Sequence, residues 1–174
     1  MSATAPVRPE ASEYAPYYER YVSLVPDGDV TGTLARQNEE VLALLGGVTE
    51  ERAGFRYEPG KWSVKEVVGH VIDAERVFAY RAMAIARGDR AALPGMDQEE
   101  YMAGSDFDAR TLADLAEEFS HPRRANVLML RGLPAGAWSR RGVASGNEVT
   151  VRALAYIIAG HAAHHLQVLR TRYL

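Results

Sequence analysis

Hydrophobic positions recur at helical spacing over four long segments of the chain, and turn-forming residues separate them. The predicted helices cover about residues 31–45, 63–87, 111–131 and 150–172. In the last segment, the apolar residues between Val151 and Leu169 project as one stripe when the chain is wound at 100° per residue. A stripe of this kind is typical of a helix that packs one face into a core.

Local signals mark where these helices begin and end. Ser63 is followed three residues later by Glu66, which is the pattern of a capping box. Thr150 can cap the last helix. Pro122 lies inside the third segment, and we expect it to kink or split that helix near His121.

The fold class follows from these elements. Strand signals are weak, so the pattern predicts an all-α protein with residues 31–174 forming one four-helix bundle. The connection over residues 89–108 is long and contains Pro94-Gly95 and Gly104. This length permits a crossover between the second and third helices. A second irregular connection is expected over residues 133–149.

The N-terminal 30 residues are predicted to form an arm that packs on the bundle. Residues 1–12 are rich in Ala, Pro, Ser and Glu, as a loose segment would be. Four tyrosines follow at i, i+3, i+4 and i+7, namely Tyr14, Tyr17, Tyr18 and Tyr21. This spacing indicates a short helix with one aromatic face.

Composition and charge limit the function classes. The 174 residues include no cysteine, which excludes a disulfide framework, a protein thiol nucleophile and any cysteine-ligated metal. The net charge of −3, without a basic patch, argues against a nucleic-acid partner. We find neither a signal-peptide pattern nor an apolar stretch long enough to span a membrane. A cytoplasmic protein is therefore expected.

Three of the five histidines lie in the last predicted helix, at His161, His164 and His165. His161 and His165 are spaced i, i+4, which places both imidazoles on one helical face, close to the apolar stripe. His164 lies about 120° from that stripe, so it is expected at solvent or at a helix interface. A pair formed by His161 and His164 fits the core face less well. Two inward histidines can be core residues, or they can share a cation that satisfies both rings.

The second helix carries the other candidate residues. His70 lies at the border of its apolar face and is the candidate third metal ligand. Asp73 follows one turn later, where it could orient an imidazole, act as a general base or be an exposed carboxylate. Glu75 lies near the apolar stripe, so it is either a catalytic carboxylate or the partner of an arginine such as Arg81, or of a group on the opposite helix. Trp62 is expected to line a cavity mouth or to staple the helix end.

The sequence resembles the DinB/YfiT family of metal-binding four-helix bundles. The resemblance rests on PGKWS at residues 59–63, GHVIDAE at 69–75 and GHAAHHL at 160–166, and it covers nearly the whole chain from Tyr14 onward. It implies that His70, His161 and His165 bind a divalent metal, usually nickel or zinc. It also implies a helix order with a crossover and a homodimer.

The function implied by the resemblance is metal-dependent stress or detoxification chemistry on a small molecule. The expected enzyme is an S-transferase that uses a low-molecular-weight thiol such as bacillithiol, mycothiol or glutathione, or else a hydrolase. Asp73 and Glu75 are the candidate catalytic carboxylates. The alternatives are a non-catalytic metal-binding stress protein or sensor, and a metal-free bundle whose histidines are core residues.

Overall fold

Four long helices dominate the computed structural model, which describes residues 7–174. Three shorter helices accompany them. In chain order the α-helices are α1 (Glu19–Val22), α2 (Val30–Gly46), α3 (Glu50–Ala53), α4 (Val64–Ala86), α5 (Gln98–Ala103), α6 (Leu112–Arg131) and α7 (Val151–Val168). One turn of π-helix, Leu169–Tyr173, extends α7. The prediction of a mostly helical bundle is confirmed.

The local helix signals are confirmed by the observed ends. The Ser63 hydroxyl accepts a hydrogen bond from the Glu66 N–H, and the Glu66 carboxylate accepts one from the Ser63 N–H. Thr150 caps α7 by accepting from the Ala153 N–H. Pro122 lies within α6 without interrupting it, so of the two expected effects, a kink or a split, the split does not occur. Packing of α6 on α2 and α4 holds the helix together across the missing N–H.

The order of the long helices around the bundle places the crossovers. Helix α4 packs on α6 and α7, and α2 packs on the same two helices. Helices α2 and α4 are therefore diagonal neighbours, as are α6 and α7. The chain crosses the bundle in the connections α2–α4 and α6–α7, whereas the long connection between α4 and α6 joins adjacent helices. The crossover is confirmed, but the sequence interpretation placed it in the wrong connection.

A two-stranded hairpin lies within the connection predicted as irregular. Strand β1 (Arg141–Ala144) pairs antiparallel with β2 (Asn147–Thr150). Ser145 and Gly146 form the turn with φ angles of 51° and 74°, the left-handed pair that suits tight hairpins. The hairpin lies against α4, where a Cβ on Gly142 would come within 2.5 Å of the Ile85 side chain.

The N-terminal segment packs on α7, although its first six residues lie outside the described range. The predicted single tyrosine helix is instead a 3₁₀ turn, Pro16–Tyr18, followed by the short helix α1. Glu13 anchors this segment by accepting hydrogen bonds from Arg152 and from the Thr150 hydroxyl. Tyr14 and Tyr21 are buried, whereas Tyr17 is half exposed.

The core is divided into two apolar clusters. One cluster includes Leu34, Phe78, Leu130 and Ile157, and the other includes Val68, Ile72, Phe119 and Leu166. Buried polar side chains, among them His70, Glu75, Arg123 and His161, lie at the level where one cluster gives way to the other. The candidate site is thus a polar layer through the middle of the bundle.

Candidate metal centre and its clefts

His70 on α4 converges with His161 and His165 on α7. Each of the three offers one ring nitrogen such that these atoms all lie within 4.8 Å of one another. The Nε2 atoms of His70 and His161 are 3.1 Å apart. The ring centroids are separated by 4.5 Å to 5.0 Å. The i, i+4 spacing explains the pair on α7, and packing of α4 on α7 supplies the third ring.

Burial keeps these imidazoles neutral at neutral pH. It lowers the pKa of His70 to about 4 and that of His165 to about 3. The pKa of His161 is also held well below its usual value, first by burial and then by the neighbouring histidines. A neutral imidazole has one nitrogen lone pair available, and it does not repel a cation. The cluster therefore has the charge state that metal binding requires.

The histidines do not satisfy one another by hydrogen bonding. The contact between His70 and His161 can use one proton and one lone pair. Nδ1 of His165 is sealed from solvent and has no hydrogen-bond partner. Such an atom is costly in a protein interior unless something pairs with it. Within residues 7–174 no Asp, Glu or Cys joins the three histidines as a fourth ligand.

Two glycines allow neighbouring elements to approach the histidines closely. A Cβ on Gly160 would lie 2.0 Å from the carbonyl oxygen of Tyr21, so α1 can touch α7 only because this residue has no side chain. The Tyr21 ring then packs edge-on against His161 with centroids 5.2 Å apart. A Cβ on Gly69 would lie 2.4 Å from the ring of Phe107. Both glycines adjoin a candidate ligand in sequence.

Glu75 takes part in a hydrogen-bond network that joins all four long helices. Its carboxylate accepts from Arg123 Nε at 3.0 Å, from Arg123 Nη2 at 2.7 Å and from Asn126 at 2.9 Å. Arg123 also donates to Gln37 on α2, and Gln37 donates to the carbonyl of Ala159 on α7. Ala159 lies two residues before His161. This network fixes the height of α7 relative to the other helices, and so positions its histidines.

Arg123 was not singled out in the sequence, although a signal for it exists. It is fully buried and lies between Phe119 and Val127 at i, i+4 spacing on the apolar face of α6. A charged residue in that place requires a buried partner. Of the two expected partners of Glu75, Arg81 or a group on the opposite helix, the structure shows the second, because Glu75 pairs with Arg123 on α6.

Asp73 lies on α4, near charged groups that include Glu118 of α6. Its carboxylate is 3.8 Å from Arg76, and Arg76 also contacts Glu118 on α6. The pKa of Asp73 is raised, because burial and the negative charge of Glu118 together outweigh the opposing effect of Arg76. Asp73 and Glu75 line neither of the two clefts described below, nor the small apolar cavity beside His165.

The two clefts approach the histidines from different sides. The first has a volume of about 410 Å³ and reaches His70 and His161. The second has a volume of about 310 Å³ and reaches His164 and His165. Gln98 and Glu99 at the start of α5 border both clefts. The connection over residues 89–108 thus forms part of both walls, and Ser145 of the hairpin turn borders the first cleft.

Trp62, His164 and His121 complete the predicted set. Trp62 lines the second cleft and packs against His70 with ring centroids 5.0 Å apart. His164 is partly buried between Tyr21 and His165, at a helix interface. His121 is exposed and lies 3.6 Å from Glu117.

No helix within the described residues is long and apolar enough to cross a membrane.

Comparison with solved structures shows that the fold is similar to those of two other proteins. YfiT from Bacillus subtilis, described as a probable metal-dependent hydrolase with an unusual four-helix bundle topology, matches 98% of this chain and 97% of its own length. The TM-score is 0.65 at 15% identity. A mycothiol-dependent maleylpyruvate isomerase matches 87% of this chain with a TM-score of 0.62, also at 15% identity. This match covers 60% of the isomerase, so the chain spans less than two thirds of that protein.

Sequence comparisons give the family. Among curated proteins, no significant match to the sequence is found. The sequence model of the DinB superfamily matches residues 33–169, which is most of the chain and includes the three clustered histidines. The chain belongs to the DinB superfamily.

Proposed function

We propose that this protein is a metal-dependent enzyme in which His70, His161 and His165 hold a divalent metal ion, nickel or zinc. The single observation that carries the proposal is the convergence of three neutral imidazoles, two of them buried and that of His165 partly buried, with one unpartnered nitrogen. Three imidazole ligands with no fourth protein ligand are typical of catalytic rather than structural zinc sites. The donor set therefore fits such an ion.

The side chains around the histidines hold them and shield them from water. Rings of Tyr21, Trp62 and Phe78 pack against the imidazoles. The network from Glu75 through Arg123 to Gln37 fixes the backbone just before His161. When bound, the ion supplies Lewis acidity, which favours the ionised form of a thiol or of water at neutral pH.

The two clefts favour a reaction between two molecules, and so favour a thiol-dependent S-transferase over a hydrolase. Each cleft reaches a different part of the histidine cluster, so a thiol and its electrophilic partner can enter by separate routes. The chain contains no cysteine, and the thiol must therefore come from a low-molecular-weight compound. The mycothiol dependence of the structurally similar isomerase supports this assignment.

Hydrolysis is the second candidate, supported by the description of YfiT as a metal-dependent hydrolase. In that reaction, water takes the place of the thiol. Asp73 and Glu75 remain the candidate bases in the sequence interpretation. Because neither residue borders either cleft, we assign Glu75 a positioning role through Arg123. Asp73→Asn tests whether Asp73 acts as the general base.

The experiment compares thiol and water as nucleophiles on one preparation. Metal-stripped protein reloaded with Ni²⁺ or Zn²⁺ is incubated with glutathione, mycothiol or bacillithiol and chlorodinitrobenzene, and separately with nitrophenyl acetate without thiol. We expect thiol conjugation that requires metal and is lost in His161→Ala, with the exposed His121→Ala as the matched control. Metal-independent rates equal in both variants would contradict the proposal, and ester hydrolysis alone would favour the hydrolase.

A further inference from the structure

The first cleft runs along one face of α4 from His70 to Arg81. His70, Ala74, Val77 and Arg81 are spaced i, i+4, i+7 and i+11, and all four line the cleft. Over these eleven residues the helix rises about 16 Å, so the cleft extends at most this far along the axis of α4 between His70 and Arg81. Side chains lean toward the N-terminus of a helix, so the Arg81 side chain extends toward the histidines.

Arg81 is buried without a carboxylate partner. It is 3% exposed, and arginine is almost never that buried unless it is paired. Within residues 7–174, no carboxylate oxygen lies within the 4.0 Å of its guanidinium that defines an ion pair. Residues 1–6, MSATAP, contain no acidic side chain that could serve. The positive charge therefore has no counter-charge in contact.

Part of the guanidinium is held by neutral groups, and part of it faces the cleft. Nη2 donates to the Pro94 carbonyl at 2.7 Å and to the Ser145 hydroxyl at 3.1 Å. Within the described residues, Nε and Nη1 form no hydrogen bond with a carbonyl or a carboxylate, and they are not fully sealed from solvent. The Tyr18 hydroxyl is nearby, since burial raises the pKa of Tyr18 and Arg81 acts to lower it. Because Arg81 lines the first cleft, these donors can reach a ligand bound there. The ring of Phe78 lies 5.6 Å from the guanidinium carbon and limits its movement.

The remaining charged groups of the cleft do not neutralise Arg81. Asp97 caps α5 by accepting from the N–H groups of Glu99 and Glu100. Glu99 accepts from the side chain of Gln98. These two carboxylates border the same cleft and would repel a ligand with several negative charges. A ligand with one carboxylate suits this distribution better than a phosphate ester does.

We propose that Arg81 binds the carboxylate of an elongated organic acid whose other end reaches the three histidines. This inference rests on the proposed function, because it names the substrate class that the metal site would act on. The middle of the cleft is lined by Tyr18, Tyr21, Val77 and Phe78. This lining suits an apolar or aromatic spacer between the carboxylate and the reactive group.

The test measures binding of phenylbutyrate and of its neutral amide, phenylbutyramide, by titration calorimetry on the full-length, metal-loaded protein. The two probes differ in charge but hardly in size. We expect the acid to bind at least about 10-fold more tightly than the amide, because a hydrogen bond to a charged partner contributes that much. Equal affinities in the wild-type protein would overturn the inference.

Variants locate the effect at Arg81. Arg81→Gln should remove the preference for the acid. Arg87→Gln, which changes the exposed arginine that caps the C-terminal end of α4, should keep it. A preference that survives in Arg81→Gln would overturn the inference. If Arg81→Gln does not fold, two other measurements decide instead. One is the comparison of acid and amide in the wild type, and the other is Arg81→Lys, which keeps the charge and should keep part of the preference.

Metal content distinguishes failure of this inference from failure of the proposed function. His165→Ala should lose metal and still prefer the acid, since Arg81 lies at the far end of the cleft. Wild-type protein that holds no metal after purification but prefers the acid would contradict the proposed function alone. Protein that holds metal but binds acid and amide equally would contradict the carboxylate site alone.

Discussion

Glu75→Gln tests whether the buried pair of Glu75 and Arg123 holds the bundle together. The Glu75 carboxylate accepts two hydrogen bonds from Arg123 and one from Asn126, and Arg123 is fully buried. Glutamine removes the charge and turns one acceptor into a donor that faces other donors. Hydrogen bonds to charged groups contribute about 1.5–3 kcal/mol each. Removing one partner of a buried pair costs about 3–5 kcal/mol, and the two figures agree if two bonds are lost.

The assay is urea unfolding in the presence of a chelator, because a bound metal would add its own stabilisation. We expect the midpoint to fall by the amount that corresponds to 3–5 kcal/mol, with an unchanged slope. Glu117→Gln is the matched control, since Glu117 is an exposed carboxylate on α6 whose contact with His121 is weak. We expect that change to stay within about 0.5 kcal/mol.

A double variant separates the loss of the pair from the isolation of one charge. Glu75→Leu with Arg123→Met removes both charges and leaves apolar groups of similar size. Replacing a buried pair in this way is often neutral or stabilising. We therefore expect the double variant to be more stable than Glu75→Gln. A single variant that loses less than about 1 kcal/mol, or a double variant no better than the single, would refute the reasoning.

Three further predictions concern the N-terminal segment and assembly. Gly160→Ala should displace α1, because the new Cβ would lie 2.0 Å from the Tyr21 carbonyl oxygen. We therefore expect limited proteolysis to cleave the chain near Pro26 faster than in the wild type. An unchanged cleavage rate would count against the close contact. Burial alone would raise the pKa of Glu13, but hydrogen bonds from Arg152, the Glu10 N–H and Thr150 outweigh it and lower the pKa to about 2. The stabilisation from the ionised Glu13 is thus complete above its unfolded-state pKa of 4.5 and is lost as pH falls toward 2. In urea titrations, acid should therefore lower the free energy of unfolding more in the wild type than in Glu13→Gln. Parallel curves of this free energy against pH would argue against the prediction. The homodimer stays a prediction that sedimentation velocity can check, where a single species of monomer mass at micromolar concentration would contradict it.

Features encoded by neighbouring residues could be predicted from the sequence. The capping box at Ser63 and Glu66 involves residues three apart, and both of its hydrogen bonds are present. The paired imidazoles of His161 and His165 follow from one turn of helix. The predicted position of His70 at the edge of the core agrees with its burial beside that pair.

Features that depend on distant segments could not be predicted. Nothing near Glu75 in the sequence indicates Arg123 as its partner, because the two are brought together only by the packing of α4 on α6. The crossover connections depend on which helices are diagonal in the bundle, and that is a property of the whole packing. The hairpin was missed because its strands have only four residues each and its turn uses Ser145 in a left-handed conformation.

The central claim is that His70, His161 and His165 hold one metal ion. Its most direct test is the metal content of protein purified without an affinity tag or chelator, measured by plasma mass spectrometry for wild type, His165→Ala and the exposed-histidine control His121→Ala. We expect about one nickel or zinc ion per chain in the wild type and the control, and a loss of most of it in His165→Ala. Negligible metal in all three proteins, or equal metal in the wild type and His165→Ala, would contradict the claim.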